Sequence, residues 1–160
     1  MLVKLPKEVG KIMGTLQQAG FEAYVVGECI SDFMAGKKPF GWDVSTNARL
    51  EDMKRLFPEA ETLSEKFEVV RFEYIEEVVD KDGDVEGESG IIVDLAAYRA
   101  GGKYEQGRLT EANFVTTVAD DLARRKTVPQ ARWCRLQTPL NCLRCHSQCS
   151  RALLKGGFFV

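Results

Sequence analysis

Tyr24-Val25-Val26-Gly27-Glu28-Cys29-Ile30-Ser31-Asp32, then Gly36, then Gly41-Trp42-Asp43-Val44-Ser45-Thr46, is the stretch that decides the fold. Phe21 to Val26 is β-branched and aromatic, the composition of a buried strand. Gly27 supplies a tight turn, because a residue without Cβ can turn the chain where others clash. Ser31 to Ala35 reads as a short helix ended by Gly36, and Trp42 to Ser45 as a second short strand carrying the carboxylate Asp43.

Upstream, Val9, Ile12, Leu16 and Ala19 recur at helical spacing, so Lys7 to Ala19 is expected to be an amphipathic helix. Pro6 suits its first turn and Gly20 its stop. Downstream, Leu50 to Phe57 reads as a helix halted by Pro58, and Phe67 to Ile75 as a strand. Asp80 to Gly90 reads as an acidic, Gly-rich turn. Ile91 to Tyr98 is a further strand, and Ala119 to Arg125 the start of a helix behind Thr116 or Thr117. This order predicts an α/β (α+β) domain with a small mixed β-sheet flanked by helices.

The chain has 160 residues and a net charge of −2, which conceals an asymmetry. Met1 to Arg125 carries 16 Lys+Arg against 24 Asp+Glu, or −8. Lys126 to Val160 carries 6 Lys+Arg and no acid, or +6. Cys134, Cys142, Cys145 and Cys149 all fall in this second part, leaving only Cys29 in the first. No apolar run is long enough to span a bilayer, and Met1 to Gly10 has no apolar signal core, so a cytoplasmic setting without membrane contact is expected.

In order and spacing these residues resemble the head domain of the tRNA nucleotidyltransferases (CCA-adding enzymes) and poly(A) polymerases. The resemblance is to Val-Gly-Gly-x-Val-Arg-Asp, a Leu-x-Gly, and Asp-x-Asp-hydrophobic-x-Thr. It continues through Asn47-Ala48, Lys54-Arg55-Leu56-Phe57, Tyr98-Arg99, Gly102 to Arg108, Phe114 and Asp120-Asp121-Leu122-Ala123-Arg124-Arg125. It implies transfer of CMP or AMP from CTP or ATP to the 3′ end of tRNA, with Mg²⁺ as cofactor. Such transfer uses two metal ions about 3.5–4 Å apart. Carboxylates at i and i+2 of a strand share a face and can hold both. By resemblance, Asp43 is the catalytic and metal-binding carboxylate, and Gly27, Arg124 and Arg125 are nucleotide-binding.

The match departs from the pattern where chemistry is densest. Glu28 replaces the second glycine, Ser31 the helix arginine, Gly41 the first metal carboxylate, and Lys126 the acid after the paired arginines. A carboxylate at 28 repels a triphosphate, and the loss of a metal-bridging carboxylate removes several kcal/mol of charge stabilisation. The expected function is therefore an impaired or inactive nucleotidyltransferase head; the alternative is a non-catalytic remnant that binds nucleotide or RNA. Asp94 is read as structural, paired with Arg99. Tyr98, Tyr104, Phe114 and Trp42 are read as packing residues.

Two other motifs carry less. Asp80-Lys81-Asp82-Gly83-Asp84 places its glycine too early for a calcium loop. Cys142-Leu143-Arg144-Cys145-His146 has the spacing of c-type haem attachment, but no export signal accompanies it. A zinc site would want a second Cys-x-x-Cys pair, so neither haem nor zinc is expected.

Pattern, charge and composition all change at Arg125. The chain is accordingly read as a head domain over 1–125 and an aberrant basic, Cys-rich tail over 126–160 that is not a domain. A shift of reading frame explains all three changes. Lys126 to Trp133 can be encoded so that the neighbouring frame reads Asp-Cys-Thr-Ala-Ser-Ala-Met-Val, close to the missing family segment. On that reading the regions that select nucleotide and grip tRNA are absent, and the tail adds only non-specific phosphate affinity.

Overall fold

In the computed structural model the described residues are 2–79, 85–106, 108–124, 133–137 and 142–146. The strands are β1 (Leu2–Lys4), β2 (Ala23–Val26), β3 (Gly41–Thr46), β4 (Glu61–Ser64), β5 (Val69–Val79), β6 (Val85–Ala97), β7 (Arg99–Glu105), β8 (Arg108–Phe114), β9 (Trp133–Gln137) and β10 (Cys142–His146). The helices are α1 (Lys7–Gln18), α2 (Glu28–Met34), α3 (Leu50–Leu56) and α4 (Val118–Arg124). One mixed sheet runs β1-β10-β9-β2-β3-β6-β5-β4, and β7 pairs with β8 separately. Among the described residues β3 and β6 pair in parallel and the other pairings are antiparallel. The α/β expectation with a mixed sheet flanked by helices therefore holds.

Strand alternation sorts the sheet into two faces. On one, Val25, Trp42, Val44, Val70, Phe72, Val93 and Leu95 pack against Val9, Ile12, Met13 and Leu16 of α1 and Met53 of α3. Fully burying each such side chain stabilises by about 1.5–3 kcal/mol, so this layer holds the domain together. On the other face Tyr24 and Val26 meet Tyr98 and Leu122 of α4 in a smaller cluster. That cluster covers only part of the face, and Asp43 stands exposed beyond it.

Several expectations are corrected. The second helix begins at Glu28, not Ser31, because Gly27 at φ 89° turns the chain straight from strand into helix. Residues 85–90 are strand rather than turn, since the β5–β6 pairing continues to Val79↔Val85; the rest of the expected acidic turn, residues 80–84, lies outside the described residues. The β7–β8 hairpin, for which the sequence offered no alternation, was not expected. Two strands fall within 126–160, the part read as a tail that is not a domain: β9 pairs with β2 and β10 with β1.

Candidate functional site

Gly27 and Asp43 are brought together by β2 and β3, on which Val26 and Asp43 are register partners. A Cβ built on Gly27 would lie 2.6 Å from Asp43 Oδ2, and its φ of 89° already disfavours any side chain. Thr46 and Asn47 fix the far end of β3. The Thr46 hydroxyl accepts from the Ala48 N–H at 3.1 Å, and Asn47 Oδ1 accepts from the Glu22 N–H at 2.8 Å. Asp43 is thus held on a rigid strand with backbone pressed against its carboxylate.

Asp43 opens into a cleft of about 310 Å³ lined by Glu28, Asp32, Phe40, Gly41, Asp94 and neighbours. Asp94 is the register partner of Asp43 on β6, so the two carboxylates lie side by side on one face. Asp94 does not pair with Arg99 as expected. Arg71, its register partner on β5, donates to it through Nε at 2.7 Å and Nη2 at 2.9 Å. That two-pronged contact pushes the Arg71 guanidinium well above its ordinary range. Cys29 sits under the cleft, donating to the Val26 carbonyl at 3.2 Å. Burial, reinforced by the Asp43 charge, pushes its thiol up to about 11, so it is an unreactive thiol at neutral pH.

Arg124, an expected nucleotide contact, lies at the end of α4. Arg124 Nε donates to the Arg99 carbonyl and to Asp121 Oδ1, both at 3.0 Å. Asp121 is fully buried and also accepts the Arg99 N–H at 3.2 Å. Arg124 thereby pins α4 to β7, and it is not among the residues lining the cleft. Arg125 lies outside the described residues. Tyr98 is buried, with its hydroxyl donating to Glu22 Oε2 at 3.2 Å; burial first, then Glu22, pushes its pKa far up. Trp42 is buried in the helix-covered core, and Phe114 is half-buried under the Arg49 guanidinium. Tyr104, read as packing, is 62% exposed.

Mg²⁺ takes oxygen ligands, commonly one or two carboxylates completed by water and phosphate. An exposed Asp43 in a cleft of oxygen donors fits one such ion. A bridged pair fits less well: Gly41 contributes no carboxylate, and both Asp94 oxygens already accept from Arg71. Among the described residues no three His, Cys, Asp or Glu side chains form a metal cage, so substrate oxygens would have to complete the shell. Haem and zinc would fall to cysteines whose side chains lie outside the described residues.

This fold and carboxylate site define a nucleotidyltransferase-type head. The chain matches the family described as the Poly A polymerase head domain over residues 23–129, and it belongs to that family. The match runs four residues past Arg125, where the sequence pattern was read as ending. Among curated proteins it is 32% identical over 124 residues to poly(A) polymerase I of Haemophilus influenzae, covering 71% of this chain and 25% of that one. It is 30% identical over 115 residues to the CCA-adding enzyme of Geobacillus kaustophilus, covering 71% and 25%. The solved Bacillus stearothermophilus CCA-adding enzyme in complex with CTP superposes with a TM-score of 0.59 at 20% identity, covering 93% of this chain and 35% of that one. The chain therefore spans about a quarter of the length of these curated relatives. Among the described residues no helix is long and apolar enough to cross a membrane.

Proposed function

We propose that this chain is a nucleotidyl-transfer head that binds CTP or ATP through Mg²⁺ beside the 3′ end of tRNA, with turnover strongly impaired. The observation that carries the reading is Asp43, backed by Gly27 and facing a cleft in which position 41 offers no second carboxylate. Mg²⁺, when bound, supplies charge neutralisation on phosphate oxygens. Asp43 holds it, and the absent Cβ of Gly27 leaves the backbone close enough to meet a phosphate. Arg125, by family resemblance, contacts the nucleotide.

Impairment follows from charge. The cleft keeps Asp43 and the pattern's Asp32 but adds Glu28 at its wall and lacks a carboxylate at Gly41. A loss of about 3–4 kcal/mol of transition-state stabilisation corresponds to roughly a hundred- to a thousandfold in rate. The absence of a carboxylate at Gly41, with Asp43 retained, favours a second reading, a remnant that binds nucleotide or RNA without turnover.

The test uses the purified full chain. ATP and CTP are titrated with and without Mg²⁺, and incorporation of labelled CMP or AMP into tRNA is followed. The proposal expects Mg²⁺-dependent binding with weak incorporation. Binding with no incorporation at all selects the remnant; absence of Mg²⁺-dependent binding rejects both.

A further inference from the structure

The loop joining α2 to β3 carries a second kind of chemistry beside the carboxylate cleft. Gly36, at φ 74°, ends α2, and the Lys37 N–H donates to the Asp32 carbonyl at 2.9 Å. Pro39 is buried, and the Phe40 carbonyl accepts the Ile92 N–H at 3.2 Å. The loop is therefore tied to α2 at one end and to β6 at the other.

Around the buried Pro39, Lys37, Lys38 and Phe40 are exposed on that fixed frame. Lys37 and Lys38 are exposed and line a cavity of about 380 Å³ with Leu5, Pro6, Trp42 and Ile91. Pro39 and Trp42 also line the Asp43 cleft, so the two depressions share a wall. Phe40 lines the cleft and leaves 61% of its surface open. Among the described residues neither lysine is in an ion pair. Two adjacent cations are conspicuous in a segment that carries −8 over residues 1–125, counted as 16 Lys+Arg against 24 Asp+Glu.

Cations that track phosphates, followed by an aromatic face that stacks a base, are what single-stranded nucleic acid needs. We infer that Lys37, Lys38 and Phe40 form a landing strip for the 3′-terminal nucleotides of a single-stranded RNA. The lysines take backbone phosphates, and Phe40 stacks the last base at the lip of the cleft, leaving the terminal hydroxyl towards Asp43. An acidic cleft repels a polyanion, and the strip offsets that repulsion at the point of approach. The direction of the strand rests on the proposed nucleotidyl-transfer reading; the existence of the strip does not.

The experiment measures binding of a fluorescein-labelled oligoribonucleotide of about ten residues to the full chain by anisotropy. Nucleoside triphosphate is left out, and KCl is varied. Lys37→Ala with Lys38→Ala is expected to flatten the salt dependence of log K by about 1.4, two contacts at roughly 0.7 each for a single strand. Phe40→Ala is expected to weaken binding roughly 5- to 150-fold without changing that slope, and Phe40→Trp to restore it. With an oligonucleotide abasic at its 3′ end, parent and Phe40→Ala should bind alike. All three side chains are exposed, so melting temperatures should match the parent.

Equal binding by all variants overturns the strip. So does a response to the lysines alone, which marks simple polyanion adhesion. RNA binding through the strip, with no Mg²⁺-dependent triphosphate binding, leaves the strip standing and rejects the nucleotidyl-transfer reading. Triphosphate binding with unchanged RNA affinity in the variants does the reverse.

Discussion

Gly27 and Asp43 are locked together: the space a Cβ on Gly27 would need is occupied by Asp43 Oδ2, 2.6 Å away. The backbone at Gly27 also sits at φ 89°, where a side chain is strained irrespective of its neighbours. Gly27→Ala is thus expected to act twice. It should destabilise the fold by about 1–3 kcal/mol through backbone strain, and it should push the Asp43 carboxylate out of position. Thermal unfolding reads the first effect and Mg²⁺-dependent nucleotide titration the second. Wild-type stability and wild-type titration together would refute the lock.

Asp121 holds α4 through a buried charge. Its oxygen accepts from Arg124 Nη2 at 2.9 Å and from the Arg99 N–H at 3.2 Å, and its side chain is fully excluded from solvent. Removing one partner of a buried pair leaves the other uncompensated, at a cost of about 3–5 kcal/mol. Asp121→Ala should therefore lower the melting temperature by roughly 6 °C or more for a chain of this size. A change of only a degree would mean that α4 is held by Leu122 and its apolar neighbours alone.

Glu68 predicts a pH dependence. Its side chain accepts from Arg49 Nε at 2.7 Å and from the Leu50 N–H at 3.1 Å, which ties the first turn of α3 to the segment before β5. The hydrogen bond from Arg49 comes first in holding the Glu68 carboxyl below its ordinary range; burial opposes it, and the Leu50 N–H helps. A carboxyl depressed on folding stabilises above its unfolded pKa, about 4.3 for Glu. That stability is lost as pH falls through the folded value. The melting-temperature gap between the parent and Glu68→Gln should be full at pH 7 and close in acid, below the usual carboxylate range. A gap that persists in acid would assign the effect to shape rather than charge.

These side chains show why the sequence carried some of the site and not the rest. Gly27 and Asp43 were legible because strand, glycine turn and strand follow one another locally, and register then brings them into contact. The partner of Asp94 was not, since choosing Arg71 over Arg99 depends on the register in which β5 pairs with β6. Arg124 illustrates a different limit. A motif gives a residue type; that Asp121, one helical turn earlier, pairs with its guanidinium is read only from the fold. The β7–β8 hairpin was hidden because Gly101-Gly102-Lys103-Tyr104-Glu105-Gln106 has no apolar alternation to read.

Gly41 offers the most direct trial of the missing chemistry. A Cβ built there meets nothing within 4 Å, and its backbone is outside the left-handed region, so Gly41→Asp can be accommodated without strain. As residue i−2 to Asp43 on β3, the new carboxylate would share its face. Glu28→Gly would then remove an opposing charge from the cleft wall, and Ser31→Arg would place a cation on α2. If charge at these positions is what limits turnover, Gly41→Asp alone should raise CMP or AMP incorporation at least tenfold, the effect of about 1.4 kcal/mol in the barrier. The triple variant should exceed it, because the second ion gains ligands while the triphosphate loses a repulsive neighbour. Nucleotide affinity should respond mainly to positions 28 and 31, and the rate constant mainly to position 41. A triple variant that binds Mg²⁺ and CTP tightly yet incorporates nothing would locate the deficit outside the cleft.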